Sequence, residues 1–176
     1  MRKTLLGLLL AVCQVAAGAT YNVRDFGAKG DGKTLDHEYI NKAIETATNN
    51  GGGQVLLPAG TYLCGSIRLK SNVDLHLMAG AIILAAPSHP LLSPLNRGDK
   101  RGVYDESEVF GGPEYQDGGH TYFHHSLIWA EGQQNVSITG RGMIDGEGLT
   151  KRDTEKGGNV QGGNIGTGDK AIALKL

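Results

Sequence analysis

The sequence predicts an all-β solenoid in which short parallel strands stack in successive coils, with one helix over the first coil. Three observations lead to this prediction. From Gln54 onward, apolar and polar residues alternate in many short, closely spaced runs. Glycine is abundant, at 28 of 176 residues, without a three-residue period and with only 5 prolines, which excludes collagen and proline-rich disorder. One helical pattern precedes these runs, where a solenoid needs a cap for its first apolar end.

The first 19 residues have the pattern of a secretory signal peptide. Arg2 and Lys3 form a basic start, and the apolar run Leu5–Val12 is too short to span a bilayer. Ala17-Gly18-Ala19 supplies the small residues that a signal peptidase accepts. A short membrane anchor is the alternative, but nothing further on extends the apolar run. We expect cleavage near Ala19, a secreted or periplasmic protein without stable membrane insertion, and one incomplete domain over residues 20–176.

Charge and cysteine content exclude several kinds of partner and bond. The formal net charge of -1 provides no basic surface for nucleic acid or anionic membranes. Cleavage would leave Cys64 as the only thiol, which forbids an internal disulfide. We expect Cys64 to be a small buried side chain.

A single amphipathic helix is predicted from about Leu35 to Asn49. Thr34 can cap its start, and Asp36 places negative charge in the first turn. The run Asn49–Gly53 ends it, because these residues adopt left-handed backbone angles at little cost. The apolar positions that recur at helical spacing are Leu35, Tyr39, Ala43, Ile44 and Ala47.

Short strands are predicted on both sides of this helix. Tyr21–Phe26 is an extended stretch, and a glycine-broken loop, Gly27–Lys33, follows it. The strand spacing fits an antiparallel sandwich or a solenoid, but the irregular turns lack two-residue hairpin signals and favour the solenoid. The later predicted strands lie at Val55–Leu57, Ile67–Leu69, Val73–Leu77, Ile82–Leu84, Leu127–Trp129, Val136–Ile138, Met143–Ile144 and Ala171–Leu176.

Two polar stretches interrupt the strand pattern. Pro87–Ser126 is rich in proline and glycine, and a loop of that length between coils is expected to be functional. After a second such stretch, Ile172, Leu174 and Leu176 alternate on one face that nothing later in the sequence would bury. We therefore expect the chain to be incomplete at its carboxyl end.

Gly27–Thr34 matches the phosphate-loop pattern of nucleotide-binding proteins. In that mechanism backbone amides cradle phosphate and the Thr34 hydroxyl ligates magnesium. However, the preceding stretch is charged, no later apolar strand ends in a magnesium-binding Asp, and an exported domain meets little nucleoside triphosphate. We predict instead a structural loop that leads into the helix.

The histidine-rich part of the insertion is a weaker candidate site. His120, His124 and His125 with Asp117 include metal-ligating types, but adjacent histidines lack the spacing that fixes a coordination geometry. No metal and no cofactor are therefore predicted. A solvated or sugar-contacting loop fits better.

Three further features have both a functional and a structural interpretation. Tyr122, Phe123 and Trp129 could stack on sugars, although Trp129 lies in an apolar strand and is predicted to be core. Asn135-Val136-Ser137 is a glycosylation sequon by letter, but we expect Asn135 to serve a turn at a strand entry. Gly140-Arg141-Gly142 opens no helix and is not a dinucleotide site.

Three segments closely resemble the amino-terminal region of glycoside hydrolase family 28, the polygalacturonase-like pectinases. They are NVRDFGAKGDGKTLDHEYINKAI, GGGQVLLPAGTYLCGSIRLKSNVDLHLMAGAIILA and NVSITGRGMIDGEG, and the resemblance extends from Tyr21 to Gly148. It implies a right-handed parallel β-helix that hydrolyses α-linked galacturonic acid chains in pectin with inversion. The implied partner is a pectic polysaccharide or oligogalacturonide, and the full-length protein is expected to be a monomer. Basic residues would bind the substrate carboxylates. One Asp would protonate the leaving oxygen while other Asp residues position water.

The family's catalytic motifs, of the types Asn-Thr-Asp, Asp-Asp, Gly-His-Gly and Arg-Ile-Lys, belong to later coils and do not occur in these 176 residues. Asp145 belongs to the early-coil pattern and is given no acid role. No catalytic residue is therefore assigned, the substrate-binding residues are left open, and these residues alone are expected to be inactive. The alternatives are a pectate-lyase-like eliminase and a non-catalytic, tail-spike-like binding protein, of which the export signal disfavours the tail spike.

Overall fold

The computed structural model describes residues 18–86, 103–105, 123–124, 126–146 and 171–175. Most of the predicted signal peptide, most of the insertion and the tail before the last strand lie outside these residues. The described chain consists of short strands, one α-helix and a 3-10 turn at Val23–Phe26. The elements are β1 Thr20–Asn22, β2 Asp31–Leu35, α1 His37–Asn49, β3 Gly53–Leu57, β4 Gly60–Cys64, β5 Ile67–Arg68, β6 Val73–Leu77, β7 Ala81–Ala85, β8 Ile128–Glu131, β9 Ser137–Gly140, β10 Met143–Asp145 and β11 Ile172–Lys175.

Three parallel sheets form the sides of a tube. The first sheet has the order β1-β3-β6-β9, the second β2-β4-β7-β10, and the third β5-β8-β11. The chain visits the first, second and third sheet in turn and then returns to the first, one coil further along. All described strand pairs are parallel, which confirms the right-handed parallel β-helix and excludes the antiparallel sandwich.

In-register pairing stacks apolar side chains from coil to coil inside the tube. Val55 pairs with Leu75 on the first sheet, and Tyr62 pairs with Ile83 on the second. None of these four side chains is exposed. Each fully buried aliphatic side chain stabilises the fold by about 1.5–3 kcal/mol, so the interior of the tube is its main source of stability.

Cys64 lies in the same core and has no exposed surface. Burial, helped by the nearby Asp36 carboxylate, raises the pKa of the Cys64 thiol well above its ordinary value. A protonated and enclosed thiol is a poor nucleophile, so the prediction of a small buried side chain is confirmed.

Helix α1 caps the tube, as predicted. Its buried face packs against the first coils, but two of the predicted apolar positions differ: Leu35 lies in β2, before the helix, and Tyr39 is 37% exposed. Asn41 also takes the place of a strand beside β5, the edge strand of the third sheet: its Nδ2 donates to the Ser66 carbonyl at 2.9 Å and its Oδ1 accepts from the Arg68 N–H at 2.8 Å. Backbone groups of the edge strand are thus satisfied by a helix side chain. The buried apolar residues of the helix are Ile40, Ala43, Ile44 and Ala47.

The start of the helix and the segment before it differ from the prediction. Helix α1 begins at His37, Asp36 is its N-cap residue without a side-chain capping bond, and Thr34 lies in β2. The predicted loop Gly27–Lys33 is therefore wrong in its second half. Asp31 and its neighbours pair with β4, because an unpaired sheet edge outweighs the turn propensity of the local sequence.

The remaining strands agree with the sequence pattern in place, if not in every boundary. Strand β4 was not among the predicted strands, because its residues do not alternate. The predicted extended stretch Tyr21–Phe26 is extended only to Asn22. At the other end, Ile172 and Leu174 lie in register with interior residues of β8 and are 43% and 66% exposed. No helix among the described residues is long and apolar enough to cross a membrane.

Candidate functional site

The outer surface of the third sheet carries a cluster of charged and aromatic side chains. Side chains alternate along a strand, so Ile128 and Ala130 are buried in the tube while Trp129 between them points outward. Strand register places Glu131 beside Lys175. The described part of the insertion contributes three more residues. We call this surface the charged face, and its members are Arg68, Asp105, Phe123, His124, Trp129, Glu131 and Lys175.

Asp105 connects the centre of the charged face. Its carboxylate accepts hydrogen bonds from Arg68 Nε at 2.8 Å, from Arg68 Nη2, and from Trp129 Nε1 at 2.8 Å. Burial alone would raise the pKa of Asp105, but the bonds from Arg68 and Trp129 outweigh it and the pKa is lowered. The hydrogen bond with Asp105 also raises the pKa of Arg68. Asp105 therefore stays ionised and orients both the guanidinium and the indole.

The segment that carries Asp105 is fixed to the tube on two sides. The Asp105 N–H donates to Ser66 Oγ at 2.9 Å, and the Ser66 hydroxyl donates to the Ser126 carbonyl at 2.9 Å. Next to it, Tyr104 is buried and its hydroxyl donates to the Ala86 carbonyl. These bonds give the Arg68–Asp105–Trp129 group a rigid base.

Three rings lie together on the charged face. The His124 and Trp129 rings have centroids 4.2 Å apart and are tilted by 54°. Phe123 meets Trp129 edge-on at 6.5 Å and His124 edge-on at 5.7 Å. Lys175 Nζ lies 6.0 Å from the centre of the Phe123 ring. Such ring surfaces beside polar groups suit the apolar faces of sugar rings.

Glu131 joins the rings to the last strand. Its carboxylate accepts a hydrogen bond from Lys175 Nζ at 2.6 Å and lies 3.0 Å from His124 Nε2. The bond from Lys175, followed by that from His124, lowers the pKa of Glu131. A general acid at neutral pH needs a raised carboxyl pKa, and neither Glu131 nor Asp105 has one. Both carboxylates act here as hydrogen-bond acceptors that hold neighbouring donors in place.

The charges on this face balance in pairs, Arg68 with Asp105 and Lys175 with Glu131. Arg68 is 42% exposed, and its guanidinium has five N–H donors, of which Asp105 engages only part. The face therefore offers oriented donors and ring surfaces without a strong net field. This combination can bind a chain that carries both carboxylates and sugar rings.

The phosphate-loop pattern proves to be an internal structural motif. Asp36, fully buried, accepts the N–H groups of Lys29 at 2.7 Å and Gly30 at 2.8 Å. Asp31 accepts the N–H of Thr34 at 2.8 Å and its hydroxyl at 2.9 Å. These bonds, with that from the Thr34 backbone as the largest cause, lower the pKa of Asp31 to about 2. The donors a phosphate would need are thus occupied by carboxylates, and the structural interpretation is confirmed.

The histidine cluster is only partly described. His124 lies on the charged face, bonded to Glu131, while His120, His125 and Asp117 lie outside the described residues, as does Tyr122. Over the part of the chain that the structure describes, no three metal-ligating side chains come together.

The prediction that Trp129 is a core residue is wrong. It is half-buried and points outward, because Ile128 and Ala130 occupy the inward positions of β8. The role of Arg68 was not predicted, although its place between two buried apolar residues indicated the outer surface. Asp105 has no such signal, since the insertion that carries it shows no period.

Asn135 serves the turn, as predicted from its position before a strand. Its φ of 53° lies in the left-handed region, and Asn72, one coil earlier, has a φ of 64°. Asn135 Nδ2 donates to Asn72 Oδ1 at 3.0 Å, so the two turns are stacked and bonded to each other.

Comparison with known proteins places these features in a family. Residues 20–165 match the family model described as Rhamnogalacturonase A/epimerase, pectate lyase-like. The chain is 33% identical over 131 residues to the Vitis vinifera protein named Probable polygalacturonase, which covers 70% of this chain and 24% of that protein. It is 51% identical over 61 residues to Alginate lyase 7 of Azotobacter vinelandii, covering 30% of this chain and 7% of that protein.

A solved structure gives a similar result. The Family 28 exopolygalacturonase of Yersinia enterocolitica superposes with a TM-score of 0.56 and 35% sequence identity. The alignment covers 78% of this chain and 22% of that one. The chain thus spans a quarter or less of the length of each of these relatives.

Proposed function

The chain belongs to the rhamnogalacturonase A/epimerase, pectate lyase-like family, and from this premise we propose that it forms the first coils of a pectin-degrading glycoside hydrolase related to family 28. The protein is secreted or periplasmic after removal of residues 1–19, and residues 20–176 belong to one β-helix domain. The reaction is hydrolysis of α-galacturonosidic bonds with inversion, and the full-length protein acts as a monomer.

The observation that carries this proposal is the family match over residues 20–165. Polygalacturonases are among the relatives and among the solved structures that share the fold at 33% and 35% identity. Polygalacturonate is an acidic sugar chain, and the charged face has the chemistry to receive one.

On this proposal the charged face is part of the substrate-binding surface. The exposed N–H groups of Arg68 donate to a uronate carboxylate, and Trp129 and Phe123 pack against sugar C–H groups. Asp105 holds the donor and the ring in fixed positions, which lowers the entropy lost on binding. No residue of this face is proposed to transfer a proton.

Elimination is a second candidate reaction, favoured by the 51% identity to Alginate lyase 7 over 61 residues. Alginate and polygalacturonate are both chains of uronic acids, so the binding chemistry of the charged face does not distinguish the two. The products do. A hydrolase releases new reducing ends only, whereas a lyase also leaves an unsaturated product that absorbs ultraviolet light.

Binding is tested by electrophoresis of the chain through native gels that contain polygalacturonate, alginate or dextran. We expect retardation by polygalacturonate, less by alginate and none by the neutral dextran. The variant Arg68→Gln should lose most of the retardation, while Lys42→Gln, an exposed cation on helix α1, serves as the matched control and should keep it. Equal mobility in all three gels would contradict the proposed binding surface.

The reaction is tested on polygalacturonate with the complete protein, by reducing-end and ultraviolet assays on the same samples. Reducing ends without ultraviolet absorbance support hydrolysis. Ultraviolet absorbance that rises together with the reducing ends would contradict hydrolysis and show that the reaction is elimination. Binding without either product contradicts both reactions and leaves the tail-spike-like alternative.

A further inference from the structure

The outer surface of the first sheet carries a polar recess that the proposed function does not use. Strand register aligns outward-pointing residues of β1, β3, β6 and β9 in one row across four coils. Two asparagines lie beside this row, at the turns that lead from the third sheet to the first. With Gly18 still at its rim the recess has a volume of about 550 Å³, within the range of small-ligand sites, and removal of residues 1–19 would open it further on that side. We call it the amide face, and its members are Thr20, Gln54, Asn72, Asp74, Asn135 and Ser137.

Asp74 lies at the centre of the amide face and is held by its neighbours. Its carboxylate accepts hydrogen bonds from Thr139 Oγ1 at 2.8 Å, Gln54 Nε2 at 3.0 Å and Ser137 Oγ at 2.8 Å. Burial alone would raise the pKa of Asp74, but these three bonds outweigh it and the pKa is lowered. Asp74 is therefore a fixed negative charge at neutral pH.

The amides around Asp74 leave donors and acceptors at the surface. Asn135 Nδ2 bonds to Asn72 Oδ1, and Gln54 Nε2 bonds to Asp74. Among the described residues no hydrogen bond reaches the side-chain NH2 group of Asn72, the side-chain oxygen Oε1 of Gln54 or the side-chain oxygen Oδ1 of Asn135. Register places all three residues beside Asp74 at the same recess.

Glycine at position 53 lets the chain before β1 lie close to β3. Its φ is 149°, and a Cβ there would lie 2.3 Å from the Ala19 carbonyl oxygen and 3.1 Å from the Tyr21 ring. Only glycine fits this close approach at the edge of the recess.

We infer that the amide face is a second carbohydrate-binding site, selective for uncharged sugars. A sugar hydroxyl is both donor and acceptor, which matches a surface that offers an NH2 group, two amide oxygens and a carboxylate. No cationic side chain lines the recess in the described part of the chain, and the ammonium group that removal of residues 1–19 would give Thr20 lies on the edge strand β1, two strands from Asp74. Asp74 repels a uronate carboxylate, whereas a neutral sugar hydroxyl donates a charge-assisted bond to it.

The site lies on a different sheet from the charged face, so both can be occupied at once. A neutral branch of a polysaccharide on the amide face would raise the local concentration of the same polysaccharide at the charged face. Two weak sites joined in this way retain a branched chain better than an unbranched one.

The test is an NMR titration of the ¹⁵N-labelled full chain with β-1,4-galactotetraose, to about 10 mM, a concentration that detects weak binding. Trigalacturonate is the acidic comparison. We expect galactotetraose to shift the side-chain NH2 signals of Asn72, Asn135 and Gln54 in a saturable way, and trigalacturonate to leave them in place. No shift with galactotetraose, or equal shifts with trigalacturonate, would overturn the inference.

Variants locate the site. Asn72→Gly retains the positive φ while it removes the amide, and together with Gln54→Ala it should weaken galactotetraose binding about tenfold, as expected for two lost hydrogen bonds. Ser137→Ala is a milder second variant should the double change disturb the coil. Lys42→Gln, an exposed cation on helix α1, is the control and should bind galactotetraose like the parent. Undiminished binding in all amide-face variants would overturn the assignment.

Discussion

The charged face and the amide face are built by the same device and differ in chemistry. On both, in-register parallel strands set outward side chains in rows one coil apart. The charged face then adds residues from the insertion, pairs two cations with two carboxylates and exposes rings. The amide face centres on one carboxylate, Asp74, which accepts hydrogen bonds from neutral donors and has His76 Nδ1 3.9 Å away.

This difference shows how a repetitive tube can present separate sites. The interior must remain apolar in every coil, so the chemistry can change only on the outward positions and in the turns. A carboxylate on the charged face serves to orient Arg68 and Trp129, whereas the carboxylate on the amide face is itself the centre of the surface. Matched substitutions in the two faces separate the two roles.

Removing the charge of each central carboxylate should have the largest effect. Asp105→Asn leaves the half-buried Arg68 without its partner and should lower the free energy of unfolding by about 2 kcal/mol, and polygalacturonate binding with it. Asp74→Asn should cost about 1 kcal/mol, because its hydrogen-bond donors are neutral and the ionisable His76 is 3.9 Å away, beyond hydrogen-bond distance. Urea unfolding measures both. An equal loss in the two variants would contradict the distinction between the faces.

The next largest effect is expected for the indole on the charged face. Trp129→Ala removes a ring that Asp105 holds in place, and polygalacturonate affinity should fall about tenfold. Galactotetraose binding at the amide face should stay the same. Calorimetric titration of both ligands checks this, and a loss of both affinities would mean that the substitution disturbs the whole tube.

Acidification should destabilise the protein in two steps, the first through His37 on helix α1 and the second through the central carboxylates of the two faces. The His37 side chain is nine-tenths buried, and its Nδ1 has no hydrogen-bond partner among the described residues. Burial is the largest cause that lowers the pKa of His37, and the positive charge of Arg68 lowers it further. The carboxylates of Glu38, Asp105 and Asp36 oppose this shift without reversing it. The unfolded chain then binds the proton more readily, so stability falls as pH drops below about 6.5, the ordinary histidine pKa.

Asp74 and Asp105 have lowered pKa values, so their contributions are present above about pH 4 and are lost only as pH falls further. His37→Phe should therefore flatten the stability curve between about pH 7 and 5 and leave the fall below about pH 4 unchanged. Urea midpoints across pH measure it. An unchanged slope near pH 6 in the variant would show that His37 does not cause the loss of stability in this pH range.

The exposed ion pair at the end of the charged face should matter least. Lys175 is 58% exposed, so Lys175→Met should change the free energy of unfolding by less than about 1 kcal/mol. Polygalacturonate affinity should fall about two- to threefold at low salt and by less at high salt, since salt screens exposed charges. A large effect that persists at high salt would indicate a closer contact with the ligand.

Much of the amide face follows from the sequence. In β6 the buried Val73, Leu75 and Leu77 alternate with Asp74 and His76, so the outward residues can be read from the period. The relative register of coils cannot, because it depends on pairing between residues about 20 and 63 positions apart. The recess itself was therefore not predicted.

The charged face is less predictable. Arg68 lies between two buried residues and Lys175 lies between two leucines, but Asp105, Phe123 and His124 come from an insertion without a period. Trp129 was misplaced because an aromatic residue in an apolar strand fits either face. The same limit applies to β2, where Asp31 and Gly32 have turn propensity and only the unpaired edge of β4 makes them a strand.

The most direct test uses the single tryptophan of the chain, whose indole N–H signal needs no assignment. Trp129 Nε1 donates to Asp105 beside Arg68, so a uronate chain on the charged face must disturb it. We predict that trigalacturonate shifts this signal saturably and that galactotetraose leaves it unmoved. The opposite result would contradict the assignment of acidic sugars to the charged face and neutral sugars to the amide face: an indole signal that trigalacturonate does not shift, together with side-chain amide signals of the amide face that it does shift.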